Sequence, residues 1–201
     1  MATVVLVDSG GTNIGSVQYA LQRLGVDARM SRDAAEIRAA SHVILPGVGA
    51  AAPGMARLRE AGLVDVVRGL TQPVLGVCLG MQLLFAHSEE SDTPCLGLIP
   101  ATLRRFAQDG RQDGRLRVPH MGWNSLDKHT DSPLLRDIEA GAFAYFVHSY
   151  AAPVGDYTLA STDYGGAFSA IVQRGNFYGA QFHPERSAAV GATLLRNFLE
   201  L

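Results

Sequence analysis

Apolar residues in the first half of the chain follow two alternating patterns. Continuous apolar runs of the length of a buried strand occupy 3–8, 26–30, 42–49 and 73–77. Segments with the apolar spacing of an amphipathic helix occupy 13–24, 33–39, 54–69 and 79–87. This alternation of strand and helix predicts a parallel sheet with helices packed on both of its faces.

The second half of the chain is dominated by strand patterns. From 100 to 126, short runs broken by Gly, Asp and Pro predict hairpins at the edge of the sheet. Four later strands and a closing helix are predicted at 143–150, 157–162, 168–173, 177–182 and 187–200. The sequence RGN at 174–176 predicts a tight turn between the last two strands. We expect a single domain over 1–201, with an open, mostly parallel, doubly wound α/β sheet and an added antiparallel edge.

Composition narrows the classes of function. The 201 residues carry a formal net charge of -2, so no general attraction to nucleic acid or to an anionic membrane is expected. The first residues lack the features of a signal peptide, and the apolar runs are too short to cross a bilayer. Two cysteines and no leader predict a cytoplasmic protein. No spacing typical of a metal site is present, and we expect no cofactor.

The segment from Gly76 to Gly80, GVCLG, places a cysteine where a strand gives way to a helix. The pattern G-x-nucleophile-x-G is typical of a strained turn that exposes a nucleophile at the top of a sheet. In that interpretation Cys78 is the nucleophile, and the backbone N–H of Leu79 points to where an oxyanion forms. Free cysteines are also frequent core residues, so the turn alone leaves a structural Cys78 equally open.

A nucleophilic thiol needs a base and a group that orients the base. His183 and Glu185 lie two positions apart, just after a predicted strand. Side chains at i and i+2 of an extended chain share a face, so Glu185 can hold the imidazole in the useful tautomer. A simple polar strand end is the alternative, and the nearby cysteine turn argues against it.

The segment PGVG at 46–49 ends the strand that precedes the cysteine strand. Its position predicts that it lies near Cys78, where the N–H of Val48 or Gly49 could complete an oxyanion hole. An ordinary turn would also explain the glycines.

Taken together, PGVG, GVCLGMQLL at 76–84 and QFHPE at 181–185 resemble the class I (triad) glutamine amidotransferases, over essentially the whole chain. The resemblance implies that L-glutamine is hydrolysed through a γ-glutamyl thioester and that ammonia is released. It assigns Cys78 as nucleophile, His183 as general base and acid, and Glu185 as the orienting carboxylate. The positions that it implies for glutamine binding are Gly47, Gln82, Glu90, His148 and Ser149.

Three further segments, DSGGTNIGS at 8–16, PHMGWN at 119–124 and YFVHSY at 145–150, resemble one branch of this family. Its members are glutaminase subunits of imidazole glycerol phosphate synthases in histidine biosynthesis. The branch implies a heterodimer with a (β/α)8-barrel cyclase subunit that receives the ammonia. Its partner-facing positions match Asn13, Trp123 and Arg186. Lysine is common where Arg186 stands, and a guanidinium has a different donor geometry.

Three alternatives stay open at this stage. The chain could serve another synthase, such as an anthranilate or pyridoxal phosphate synthase, although PHMGWN and YFVHSY argue against it. It could be a cysteine hydrolase acting on peptides or esters, although Gln82 and PGVG favour glutamine. It could also be a non-catalytic scaffold, because a fold alone does not fix an activity, although an intact Cys-His-Glu set argues against this.

Overall fold

The computed structural model describes residues 3–8, 14–107 and 116–201. Within these ranges, the strands in chain order are β1 Val4–Val7, β2 Arg29–Ser31, β3 His42–Gly47, β4 Val74–Cys78, β5 Phe85–Ser88, β6 Thr93–Pro94, β7 Ile99–Arg105, β8 His120–Ser125, β9 Asp127–Lys128, β10 Phe143–His148, β11 Tyr150–Ala151, β12 Thr158–Asp163, β13 Ala167–Arg174 and β14 Phe177–Ala180. The helices in the same ranges are α1 Ile14–Arg23, α2 Ala34–Ala39, α3 Ala51–Glu60, α4 Val64–Arg68, α5 Leu79–Leu83 and α6 Ala188–Leu199. None of these helices is long and apolar enough to cross a membrane.

An eight-stranded sheet lies at the centre of the fold, in the order β2-β1-β3-β4-β14-β13-β12-β9. Strands β2, β1, β3, β4 and β14 run parallel, whereas β13, β12 and β9 extend the sheet with antiparallel pairings. The predicted fold class, an open and mostly parallel sheet with an antiparallel edge, is confirmed. Strands β1, β3 and β4 have neighbours on both sides and are buried on both faces, which explains their continuous apolar runs.

Helices cover both faces of this sheet, as the sequence predicts. Val4 and Leu6 of β1 pack in one apolar core together with side chains of α1 and α6. Val5 and Val7, which point the opposite way, pack in a second core with side chains of α2, α3, α4 and α5. The alternation of side chains along each strand therefore supplies two cores from one run of apolar residues.

Two predicted helices end earlier than their apolar pattern indicates. The helix expected at 54–69 is two helices, α3 and α4, separated at Gly62, which adopts a positive φ of 67°. The helix expected at 79–87 ends at Leu83, and Phe85 begins strand β5. Phe85 is fully buried and packs edge-on against Tyr157. Short apolar runs suit either a buried helix or a buried strand, and here packing decides in favour of the strand.

The hairpins predicted for 100–126 at the edge of the main sheet are wrong. Strand β7 belongs to a separate sheet of order β11-β7-β5-β6, and β8 pairs with β10 in a two-stranded sheet. Two hydrogen bonds attach β10 to the chain that follows β14: the N–H of His183 donates to the carbonyl of Tyr145 at 3.0 Å, and the N–H of Tyr145 donates to Ser187 Oγ at 2.9 Å. The two-stranded sheet therefore lies beside the carboxyl end of β14.

The tight turn at 174–176 is confirmed. Arg174 pairs directly with Phe177, and Gly175 between them adopts a positive φ of 58°. This pairing sets the register of β14, whose parallel neighbour is the cysteine strand β4.

Candidate active site

Cys78 sits at the sharp turn between β4 and α5. Its backbone has φ 53° and ψ -110°. A positive φ is uncommon for a residue other than glycine, and such strain concentrates at functional sites. The strained strand-to-helix turn that the G-x-C-x-G pattern predicts is therefore present.

The flanking glycines are required because backbone segments approach them closely. A Cβ on Gly76 would lie 2.6 Å from the backbone nitrogen of Met81, and a Cβ on Gly80 would lie 1.7 Å from the carbonyl oxygen of Leu45. A Cβ on Gly47 would lie 3.0 Å from the backbone nitrogen of Gly80. Helix α5 is thus pressed directly onto the ends of β3 and β4, which fixes the position of the thiol.

His183 and Glu185 meet as the sequence predicts, but the local geometry differs from the prediction. His183 is extended, whereas Glu185 lies in a 3₁₀ turn, Pro184–Arg186. His183 Nδ1 lies 2.9 Å from Glu185 Oε1, and both side chains are buried. A carboxylate only accepts, so Nδ1 carries the proton. Cys78 and His183 line the same cleft, and because Nδ1 is bound to Glu185, Nε2 is the ring nitrogen left to exchange a proton with the sulfur.

The surroundings of His183 favour its protonated form. Burial alone would lower the pKa of His183, but hydrogen bonds with Cys78 and Glu185 and the charges of both groups raise it to about 10. An imidazolium beside a cysteine is the arrangement that activates thiol nucleophiles. Cys95, in the loop between β6 and β7, is also buried. Burial, the largest effect, raises the pKa of the Cys95 thiol to about 11 and keeps it protonated.

Cys78 opens into a cleft of about 280 Å³, a size near the lower end of small-molecule sites. The cleft is lined by predicted site residues, namely Val48, Gly49, Cys78, Leu79, Gln82, Glu90, His148, Ser149 and His183. The sequence reasoning missed three further lining residues, Pro119, Val147 and Tyr150. We refer to this space as the Cys78 cleft.

The end of β3 and the start of α5 flank Cys78. Gly47 pairs with Cys78 across β3 and β4, and the next two residues, Val48 and Gly49, line the same cleft as Cys78. Gly49 has φ 97°, a left-handed conformation that glycine adopts without strain. Leu79 is the first residue of α5, and the first N–H groups of a helix have no acceptor within it. The segment is therefore positioned for an oxyanion hole, a role that stays a prediction.

Two of the side chains expected to hold glutamine, Gln82 and Glu90, have additional structural partners. Gln82 Nε2 donates to the carbonyl of Tyr150 at 3.0 Å and to Gln181 Oε1 at 2.9 Å. Glu90 Oε2 accepts from the N–H of Ala51 at 2.7 Å, at the first turn of α3. Glu90 is thereby held at the rim of the Cys78 cleft, and Gln82 keeps its carbonyl oxygen available as an acceptor.

His148 is a buried, neutral wall of the Cys78 cleft. Its Nδ1 donates to the carbonyl of Tyr150 at 2.8 Å, and its Nε2 lies 3.4 Å from Nδ1 of His120. Burial lowers the pKa of His148 to about 3; the Tyr150 carbonyl opposes this effect, and the charges of His120 and His183 add to it. Burial also lowers the pKa of His120 to about 4. No sequence pattern assigns a role to His120, which the structure places in contact with His148 in the wall of the site.

One face of the β8–β10 sheet is exposed beside the cleft. Met121 and Trp123 on β8 and Phe143 on β10 are 63%, 51% and 57% exposed. Trp123 lies opposite Tyr145 with the rings edge to face, and the guanidinium of Arg186 lies 5.3 Å from the centroid of the Tyr145 ring. We call these five residues the β8–β10 surface. Large exposed apolar surfaces are typical of interaction sites. Asn13, the third predicted interface residue, lies outside the described residues.

Among the described residues, no group of three or more His, Cys, Asp or Glu side chains is arranged to hold a metal ion.

Comparisons with known proteins agree with this geometry. Residues 5–201 match the family model described as glutamine amidotransferase class-I. The imidazole glycerol phosphate synthase subunit HisH of Xanthomonas axonopodis pv. citri (strain 306) is 57% identical over 201 residues, which cover 100% of this chain and 98% of the relative. The protein of the same name from Xylella fastidiosa (strain Temecula1 / ATCC 700964) is 56% identical with the same coverage.

Solved structures share the fold at lower identity. A glutamine amidotransferase crystal structure has a TM-score of 0.72 and 24% identity, over 98% of this chain and 97% of that chain. The structure of PurLQS from Thermotoga maritima has a TM-score of 0.70 and 18% identity, over 100% of this chain and 99% of that chain. With a family match over nearly its whole length, the chain belongs to the class I glutamine amidotransferases.

Proposed function

We propose that this chain is the glutaminase subunit of an imidazole glycerol phosphate synthase. One observation carries the proposal: a cysteine on a strained turn shares an open cleft with His183, which is bound in turn to Glu185. The full-length relatives named as subunits of that synthase support the choice of enzyme.

The first half of the proposed reaction forms a thioester. Sulfur of Cys78, deprotonated by His183, attacks the side-chain amide carbon of L-glutamine. The N–H of Leu79 and that of Val48 or Gly49 hold the resulting oxyanion. The imidazolium of His183 then gives its proton to the amide nitrogen, the C–N bond breaks, and ammonia leaves the γ-glutamyl thioester.

The second half releases glutamate. His183, now neutral, takes a proton from water as the water attacks the thioester carbon. The C–S bond breaks, glutamate leaves, and Cys78 and His183 return to their starting state. Glu185 stays ionised throughout and holds Nδ1–H, so that Nε2 exchanges protons in both halves.

Glutamine is held at its amino-acid end by the far wall of the cleft. Glu90 and the free carbonyl oxygen of Gln82 accept from the α-ammonium group of the substrate. His148 and Ser149 also line the cleft, and Gly47 lets α5 pack closely against the end of β3 beside it. The negative charge of Glu90 selects an ammonium group, which favours a free amino acid over an internal peptide residue.

The proposed partner is a (β/α)8-barrel cyclase subunit that docks on the β8–β10 surface and forms a heterodimer in the cytoplasm. Val147, on the same face of β10 as Phe143 and Tyr145, lines the Cys78 cleft, so ammonia would enter the barrel without crossing bulk solvent. In the barrel it reacts with the phosphoribulosyl-formimino aminoimidazole carboxamide ribonucleotide. The products are imidazole glycerol phosphate and aminoimidazole carboxamide ribotide. In bulk solvent near neutral pH, ammonia is mostly protonated and therefore not nucleophilic, so direct passage into the barrel keeps it reactive.

Coupling requires control of the glutaminase. We propose that the 46–49 segment completes the oxyanion hole only when the partner with its nucleotide ligand is bound, a shift of population toward the active arrangement. Loss of one oxyanion donor costs roughly 10²–10³ in rate, enough to keep the free subunit nearly silent. Crystals of the free and ligand-bound complexes with the Val48 N–H in one direction would contradict this gate.

The experiment measures glutamate release from glutamine by the purified chain, first alone and then with the barrel subunit and its nucleotide ligand. The proposal predicts negligible release alone and a large rise in the complex. Full activity of the isolated chain would favour a stand-alone amidase, or an amidase with a different partner.

A further inference from the structure

Gln181 is a buried amide that touches the nucleophile. Its relative exposure is 0%, and buried polar groups are almost always hydrogen-bonded. Gln181 Nε2 lies 3.8 Å from Cys78 Sγ, within the range of an N–H···S hydrogen bond. Gln181 Oε1 accepts from Gln82 Nε2 at 2.9 Å. The side chain thus bridges α5 and the sulfur, in addition to the contact between Cys78 and His183.

The orientation of the Gln181 amide follows from the groups around it. Nitrogen and oxygen of an amide are assigned from the hydrogen-bond network. The carbonyl of Tyr150 can only accept, so Gln82 presents its NH₂ group there, at 3.0 Å. The second hydrogen of that NH₂ group points to Gln181, so the Gln181 oxygen must accept it. The NH₂ group of Gln181 is therefore the part that faces Cys78.

A carbonyl group contacts the same sulfur. Cys78 Sγ lies 3.9 Å from the carbonyl oxygen of Val147. A neutral thiol can donate to Val147, whereas a thiolate has no hydrogen to donate and is repelled by the carbonyl. The amide of Gln181 has the opposite preference, because hydrogen bonds to an ionised acceptor are stronger than those to a neutral one. The Val147 contact therefore suits a thiol, and the Gln181 contact suits a thiolate.

We propose that Gln181 is a further catalytic residue, which donates an N–H to the Cys78 thiolate and holds it ready for attack while His183 carries the proton. This inference deepens the proposed function and rests on it for its substrate. The hydrogen bond also opposes reprotonation and keeps the sulfur aimed into the Cys78 cleft.

The test measures alkylation of Cys78 by iodoacetamide as a function of pH in the full-length chain, with the labelled cysteine identified by peptide mass. In Gln181→Met, which keeps the length of the side chain and removes the donor, the pH of half-maximal rate should rise. The rate near pH 7 should fall roughly ten- to hundredfold, the range expected for a hydrogen bond to a charged group. Gln173→Met, on the neighbouring strand β13, is the matched control and should leave both quantities unchanged.

A second variant separates the donor from the packing. Gln181→Glu keeps an oxygen for Gln82 and replaces the NH₂ group by an oxygen, so it should suppress alkylation at least as strongly as Gln181→Met. Recovery of the wild-type pH profile by Gln181→Glu would overturn the inference, as would an unchanged profile in Gln181→Met. The assay needs neither glutamine nor the partner. A wild-type chain that shows the predicted alkylation pattern but releases no glutamate even in the complex with the barrel subunit and its nucleotide ligand would refute only the proposed function.

Discussion

The substitution Gly80→Ala tests the claim that helix α5 is pressed onto the end of β3. Alanine is normally favoured in a helix by about 1 kcal/mol over glycine. At position 80, however, the new Cβ would lie 1.7 Å from the carbonyl oxygen of Leu45 and 2.7 Å from its carbonyl carbon. Both atoms belong to the backbone of a central strand, so no side-chain rotation can relieve the contact.

The expected loss of stability in Gly80→Ala follows from how far the contact must widen. Real Cβ atoms essentially never approach another heavy atom closer than 3.0 Å, so the contact must widen from 1.7 Å to at least that distance. Overpacked cores typically lose about 1–3 kcal/mol, and a backbone clash belongs at the upper end or beyond. After the helix preference is subtracted, we expect Gly80→Ala to lower the free energy of unfolding by about 2 kcal/mol or more. The displaced turn should also lower glutaminase activity in the complex.

Two other helical glycines provide controls for the same substitution. Among the described residues, a Cβ on Gly15 would meet only the edge of the Tyr19 ring at 3.9 Å, so Gly15→Ala should be stabilising by up to about 1 kcal/mol. A Cβ on Gly54 would lie 3.2 Å from the ends of the Leu79 and Leu83 side chains, which can yield, so its effect should fall between the other two. Urea unfolding of the three variants measures the series. An unchanged urea midpoint for Gly80→Ala would refute the close approach.

Three further outcomes follow from the same structure. Glu185→Gln removes the charge that helps to hold the pKa of His183 at about 10. The alkaline limb of kcat/KM against pH should therefore move to lower pH, and kcat should fall roughly 10²–10⁴-fold. An alkaline limb at the wild-type pH would exclude this role of the carboxylate. Trp123→Ala should weaken binding of the barrel subunit by about 2 kcal/mol or more in titration calorimetry while the urea midpoint is preserved; unchanged affinity would place the interface elsewhere. The pKa values of His120 and His148, about 4 and about 3, lie below the ordinary value of about 6.5, so their contribution to stability is full above pH 6.5 and is lost as the pH falls through the folded-state values. The urea midpoint should therefore be lower at pH 5 than at pH 7, and equal midpoints would contradict neutral burial of the pair.

Local patterns carried most of what the sequence could predict. The glycines around Cys78 predict a strained turn because only glycine tolerates backbone atoms so close, and the structure contains that turn. His183 and Glu185 could be paired from their spacing alone, although the pairing arises in a 3₁₀ turn rather than in extended chain. Parallel strands have continuous apolar runs, which made the order of elements in the first half readable.

Long-range packing accounts for what the sequence could not predict. Nothing local indicates that β7 and β8 leave the main sheet, because their partners β5, β11 and β10 come from distant parts of the chain. The contact between Gln181 and Cys78 is also non-local, but the spacing of residues in the sequence could have indicated it. Gln181 stands two residues before His183, so the i, i+2 rule that pairs His183 with Glu185 would also have placed Gln181 on the same side.

The central claim, that Cys78 performs the amide hydrolysis, is tested most directly by Cys78→Ala in the complex with the barrel subunit. Synthesis of imidazole glycerol phosphate is followed with glutamine and, separately, with added ammonia as the nitrogen source. The account predicts that glutamine-dependent synthesis is abolished while ammonia-dependent synthesis stays at the wild-type rate. Equal loss of both would make Cys78 a structural residue, and retained use of glutamine would contradict the proposed mechanism altogether.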